Sequence, residues 1–139
     1  MSVEEWMSPD PVSVAPDTTV AAARELLDTE GFRHLPVVDG ERLVGIVSDR
    51  DVAINADALR AALRRHEVET LVDDQRPVEA VMSPTPHVIG PEADISEAAR
   101  LLVSRRISAL PVVDADGVLV GILTSVDCLL ATLKERSEV

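Results

Sequence analysis

Aromatic side chains are nearly missing from this chain. Of its 139 residues only Trp6 and Phe32 are aromatic, and there is no tyrosine. The core must therefore be built from Val, Leu, Ile and Ala, and no aromatic platform is offered on which bases could stack. Cysteine is limited to Cys128, so no internal disulfide can form, which fits a reducing cytoplasm. Positive charge is short too: 13 Lys and Arg stand against 25 Asp and Glu, a formal net charge of −12. Such a surface repels phosphate backbones and anionic lipid, so neither nucleic acid nor membrane is an expected partner. No apolar run reaches the length that spans a bilayer, and the acidic opening "MSVEEWMSPDP" lacks the apolar stretch of a secretory signal.

What the chain does have is an internal repeat. "HLPVVDGERLVGIVSD" begins at His34 and "ALPVVDADGVLVGILTS" at Ala109. With Val3 set against Val78, an offset of 75, 15 of 37 positions are identical from Val3 to Asp39. A one-residue slip in the turn changes the offset to 76, and five of nine positions match from Leu43 to Asp51. Unrelated sequences would match at roughly one position in fifteen. The halves are duplicates, too few for a solenoid, and a face-to-face pair is the expected use. Hydrophobic residues at 46% supply enough material for their core.

Each half carries the same order of signals. "MSPDPVSVAP" and "MSPTPHVIGP" are proline-punctuated extended segments, each with a short strand expected near its second proline. Helices follow behind N-caps Thr19 and Asp94, with Glu97 placed to complete a capping box on Asp94. Val20, Ala23, Leu26 and Leu27, and in the second half Ile95, Ala98, Leu101 and Leu102, fall on one helical face. Gly31 can close the first helix in a left-handed cap. Arg106 stands there in the second half, which is expected to stop otherwise. Two continuous apolar runs around a turn then read as hairpin strands covered on both faces. A second helix begins at Ser48 and at Thr124. The predicted fold class is mixed α+β, two β-α-β-β-α units: residues 1–56, a helical connection 57–77, and residues 78–139. In the connection, Leu59, Ala62, Leu63 and Leu71 have helical spacing, and Arg60, Arg64, Arg65 and Glu67 read as a solvated face.

Ser48-x-x-Asp51 and Thr124-x-x-Asp127 mark each handover from buried strand to helix. A hydroxyl at N-cap with a carboxylate at N3 is a capping arrangement. The same place also suits a polar ligand, and a carboxylate there can accept from two neighbouring hydroxyls, as on a ribose. The two uses are not exclusive. His34, His66 and His87 lie in three different elements without metal-ligand spacing. Asp114 and Asp116 read as turn formers, and Cys128 as a small buried filler. No P-loop, nucleophile elbow or zinc motif occurs, and no nucleophile–base–orienter set can be assembled, so an enzyme is not expected.

The ordered series "VMSP…V…P…EAARLLVSRRISALPVVDADGVLVGILTSVD", given again as "WMSP…V.P…AAARELL…LPVVDG.RLVGIVSDRD", resembles the CBS domain, named after cystathionine β-synthase. The resemblance covers nearly all of the chain outside the connection. It implies a pseudo-twofold pair of repeats, a Bateman module, with two clefts that take adenosine compounds: AMP, ADP, ATP or S-adenosylmethionine. It further implies a non-catalytic, energy-sensing regulatory role toward a protein partner, and a homodimer formed through helices. By position, one cleft would join Ser48 and Asp51 to His87, Val88, Ile107 and Ser108. The other would join Thr124 and Asp127 to Val12, Ser13, Phe32 and Arg33. Basic residues ending the first helix often meet phosphate in such clefts; Arg105 and Arg106 hold that place beside Asp127. Glu30 and Gly31 are their counterparts, so Arg50 would have to serve at Asp51. The alternative is an interaction or structural module whose clefts are empty or hold a metal ion or NAD.

Overall fold

The computed structural model describes residues 1–137. In chain order the elements are α1 (Val3–Trp6), β1 (Ser8–Pro9), α2 (Val20–Glu30), β2 (His34–Asp39), β3 (Arg42–Ser48), α3 (Asp49–Val52), α4 (Ala56–Arg65), α5 (Val68–Val72), β4 (Ser83–Pro84), α6 (Ile95–Arg105), β5 (Ala109–Val113), β6 (Leu119–Thr124) and α7 (Ser125–Ser137). A 3-10 turn, Val78–Ala80, precedes β4. The architecture is mixed α+β, with two three-stranded sheets ordered β2-β3-β4 and β1-β6-β5.

The chain divides into two compact bodies: Ser13–Asp39 with Val44–Pro84, and Met1–Val12 with Gly40–Leu43 and Thr85–Val139. In the second body, the first twelve residues complete the core of the second repeat. Val3 is fully buried with Ile95, Leu102, Leu110 and Leu123. Its amide donates to the Ala93 carbonyl at 2.8 Å, and the Ile95 amide donates to the Met1 carbonyl at 2.9 Å. In the first body the opening of the second repeat, with the last residues of the connection, does the same for the first repeat. Val78 is buried with Val20, Leu35 and Val47. Its amide donates to the Thr18 carbonyl at 2.7 Å, and the Val20 amide donates to the Arg76 carbonyl at 2.8 Å. These bonds match one for one at the offset of 75.

The short strands lie at the first proline of each segment rather than the second. Ser8 and Pro9 pair antiparallel with Ile122 and Gly121; Ser83 and Pro84 pair with Ile46 and Gly45. Farther along, Val14 and Ile89 make only isolated parallel bridges, to Val37 and Val112. Glycine makes room for the close approach at the pairing point. A Cβ on Gly121 would stand 2.3 Å from Met7 Sδ and 3.0 Å from the Ser8 carbonyl oxygen; one on Gly45 would stand 2.4 Å from Met82 Sδ. Along the hairpins, β2 and β5 are buried almost continuously, as expected, whereas β3 and β6 alternate.

Helix ends follow the local chemistry with two corrections. Thr19 caps α2 by accepting from the Ala22 amide, and Gly31 closes it at φ 68°. Asp94 sits at the N-cap of α6 but makes no side-chain cap, so the expected box with Glu97 is not formed. Its carboxylate is bonded instead by the Ser96 hydroxyl and the amino terminus. Arg106 adopts the left-handed cap at φ 55°, with its amide returned to the Leu102 and Val103 carbonyls, so α6 stops the same way as α2. Tertiary demand at that corner outweighs the preference for glycine. In the connection, Ala62 is buried while Leu59 and Leu63 are exposed.

Candidate functional site

Both Ser/Thr-x-x-Asp groups form reciprocal caps. The Ser48 amide donates to Asp51 Oδ2 at 2.7 Å, and the Asp51 amide donates to Ser48 Oγ at 3.3 Å. In the second repeat the Thr124 amide and hydroxyl donate to Asp127 Oδ2 at 2.8 and 3.0 Å, and the Asp127 amide donates to Thr124 Oγ1 at 3.3 Å. Each cap uses Oδ2. It does not need Oδ1, and both carboxylates are only partly buried. A side chain fixed by its own helix start thus keeps acceptor capacity for a further donor.

The same residues converge on each cap. In the first body the Asp49 amide donates to the Arg33 carbonyl at 2.9 Å. In the second, the Ser125 amide donates to the Ser108 carbonyl at 3.0 Å, and Ala109 stands opposite Thr124 in the ladder. The segment leading into each "LPVV" therefore runs beside the cap of its own repeat, Arg33 beside that of Asp51 and Ser108 beside that of Asp127. The expected grouping set each with the cap of the other repeat; the antiparallel hairpin instead brings the start of its first strand back to the end of its second. Phe32 and Arg33 line a concavity of about 350 Å³ with Arg24, Asp28, Asp49 and Val52. Phe32 is half open to solvent, and Arg50 is exposed. Ser13 immediately precedes the Val14 bridge of the same body.

In the second body Arg105 ends α6, Arg106 caps it, and Ile107 packs partly against the core. Both arginines are exposed and lie within three residues of Ser108. Val88 lines a second concavity, about 480 Å³, with Glu97, Arg100 and Ser104. His87 is exposed beside it, and Val12 is exposed at the end of the opening segment.

Two titratable groups are displaced by burial. Burial holds His34 below the ordinary histidine value, while Asp49 and Asp51 pull the other way. Burial pushes the Cys128 thiol up, and Asp127 adds to it. Cys128 is 7% exposed, as its reading as a filler requires. Asp114 Oδ1 accepts from the amides of Asp116 and Val118, the turn-forming role expected. Among the described residues no group of three or more His, Cys, Asp or Glu could hold a metal ion. Nor is any helix among them long and apolar enough to cross a membrane.

Sequence reasoning missed Arg24. It lies beside the core stripe of α2, and its Nε and Nη1 donate to the Val52 and Val72 carbonyls at 2.7 and 2.9 Å. The available signal was asymmetry: Ala99 stands at the matching place in the second repeat.

Two α+β bodies, each with a three-stranded sheet and a carboxylate cap where strand meets helix, define a pair of CBS repeats. The CBS domain family matches residues 3–58 and 78–134, and the chain belongs to it. It is 34% identical to the chloroplastic CBS domain-containing protein CBSX2 of Arabidopsis thaliana, over 90% of this chain and 60% of that protein. It is 33% identical to an inosine-5'-monophosphate dehydrogenase of Korarchaeum cryptofilum, over 89% of this chain but 23% of the enzyme. The chain thus spans less than two thirds of these two relatives. The crystal structure of CBSX2 in complex with AMP is 36% identical, covers 97% of this chain and 98% of that one, and superposes with a TM-score of 0.78.

Proposed function

We propose that this chain is a non-catalytic regulatory module that binds an adenine nucleotide, with AMP the leading ligand, and signals the bound state to a protein partner. The observation that carries the reading is the doubled cap, Ser48/Asp51 and Thr124/Asp127, in which a partly buried carboxylate keeps an oxygen the cap does not need. Support comes from the relative solved with AMP, which matches this chain over nearly its full length. In this reading Asp51 and Asp127 accept from ribose hydroxyls, and Arg105 and Arg106 meet phosphate on the Asp127 side. Phe32, Arg33, Ile107, Ser108 and Val88 supply the walls against which the base lies. A cytoplasmic setting suits the single cysteine. A homodimer is supported by α7, on which Val126, Leu129, Leu130 and Leu133 form an exposed apolar stripe at helical spacing. The occupant we assign to that stripe is the same stripe of a second copy, since a twofold pairing covers both at once.

Titration calorimetry of AMP, ADP, ATP, S-adenosylmethionine and NAD against the wild type, Asp51→Asn and Asp127→Asn tests the reading. Asparagine can still accept the cap amide, so the fold survives. AMP affinity is expected to drop about tenfold in at least one variant, as loss of an ionised acceptor implies. A saturating ligand at 100 times its Kd should stabilise the wild type by about 2.7 kcal/mol. A panel with no binding, or AMP affinity untouched in both variants, refutes it.

A further inference from the structure

The helix that follows the second hairpin strand differs between the repeats. In the second body α7 runs on through Cys128, whose carbonyl lies inside the helix and also accepts from the Thr132 hydroxyl at 3.0 Å. The matching position in the first repeat, at the offset of 76, is Val52, and there α3 ends after a single turn. A one-turn helix leaves its last carbonyls without helical partners. Arg24 meets that need: Nε donates to the Val52 carbonyl at 2.7 Å. From the same guanidinium, Nη1 donates to the carbonyl of Val72, the last residue of α5, at 2.9 Å. Val52 is 3% exposed, so an unpaired carbonyl there would be costly. Ala99 stands where Arg24 would be in the second repeat, and there the helix itself continues.

We infer that Arg24 is a positioning residue that holds the turn carrying Asp51 and ties it to the far end of the connection, so that a nucleotide at Asp51 also orders α5. The link to nucleotide rests on the function proposed above; the clamp itself rests on the two hydrogen bonds. The planar fork matters. Its two donors point to two carbonyls that belong to segments twenty residues apart in sequence, Val52 and Val72. The compact ammonium of a lysine cannot reproduce that spaced pair. Linkage then requires reciprocity: whatever steadies α5 must strengthen binding at Asp51. The connection so controlled carries Leu59 and Leu63 on its surface together with Arg60, Arg64 and Arg65, which makes it the natural output element.

Hydrogen exchange on the full chain reads this directly, comparing the wild type with Arg24→Lys and Arg24→Ala, each with and without AMP. Without nucleotide, amides of the Asp51 turn and of Val68–Val72 should exchange together about tenfold faster in both variants, while core amides of β2 and β5 stay protected. With AMP, the wild type should slow at both segments and Arg24→Lys at the Asp51 turn alone. Unchanged exchange in the variants, or loosening of one segment without the other, overturns the clamp. Equal slowing of α5 by AMP in Arg24→Lys and wild type overturns the coupling. If AMP slows nothing in the wild type, the nucleotide reading and the coupling fail together, and the nucleotide-free comparison still decides the clamp.

Discussion

At Arg106 backbone and side chain make opposed demands. The residue holds φ 55°, where its counterpart Gly31 holds φ 68°. A Cβ in the left-handed region costs about 1 kcal/mol, a cost that glycine avoids. Arg106→Gly should therefore leave thermal stability unchanged or raise it by up to about 1 kcal/mol, while weakening AMP binding about tenfold if the guanidinium meets phosphate. Melting and titration on one variant separate the two; intact AMP affinity removes Arg106 from the site. His34 gives a pH test. Burial holds its folded value below the ordinary figure of about 6.5, so the unfolded chain binds more protons between the two values. Stability should thus be full above pH about 6.5 and fall as pH drops toward the lowered value. His34→Ala, which copies Ala109 of the second repeat, should flatten that part of the urea-midpoint profile. An unaltered profile would show that His34 does not carry the dependence.

The elements separate what could be read from the sequence from what could not. Hairpins, the Thr19 cap and both Ser/Thr-x-x-Asp caps were legible because each rests on local chemistry: continuous apolar runs, a turn, a hydroxyl three residues before a carboxylate. The two-residue strands at Ser8–Pro9 and Ser83–Pro84 were not, since two residues carry no periodicity. The Asp94 box failed because Ser96 and the amino terminus compete for the same carboxylate. Arg24 was invisible because its partners are main-chain carbonyls, and any residue type supplies those. The pairing of β1 with β6 is testable at Gly121. Gly121→Ala should cost about 1–3 kcal/mol by crowding Met7 and the Ser8 carbonyl. Adding Met7→Ala should recover part of that loss, giving a total below the sum of the single effects in denaturant titrations. Strict additivity would mean that the crowding is absorbed elsewhere.

For the whole molecule, the duplication announced the mixed α+β class, and the family match over both repeats bears it out. Division of the chain into bodies was harder to read. Repeats are found by aligning contiguous strings, whereas one compact body joins Met1–Val12 and Gly40–Leu43 to Thr85–Val139, stretches far apart in the chain. Assembly belongs to this scale as well. The exposed stripe on α7 predicts that Leu129→Glu shifts the chain toward monomer in sedimentation velocity without altering its helical circular dichroism. A wild type that sediments as a monomer at all concentrations would end the proposed self-association. The traded opening segments carry a consequence for ancestry. Once Val3 had become indispensable to the later copy and Val78 to the earlier one, deleting either half of the gene would have left the survivor with a hole in its interior. Neither copy is self-sufficient: each interior is closed by a valine that the chain supplies from its other half.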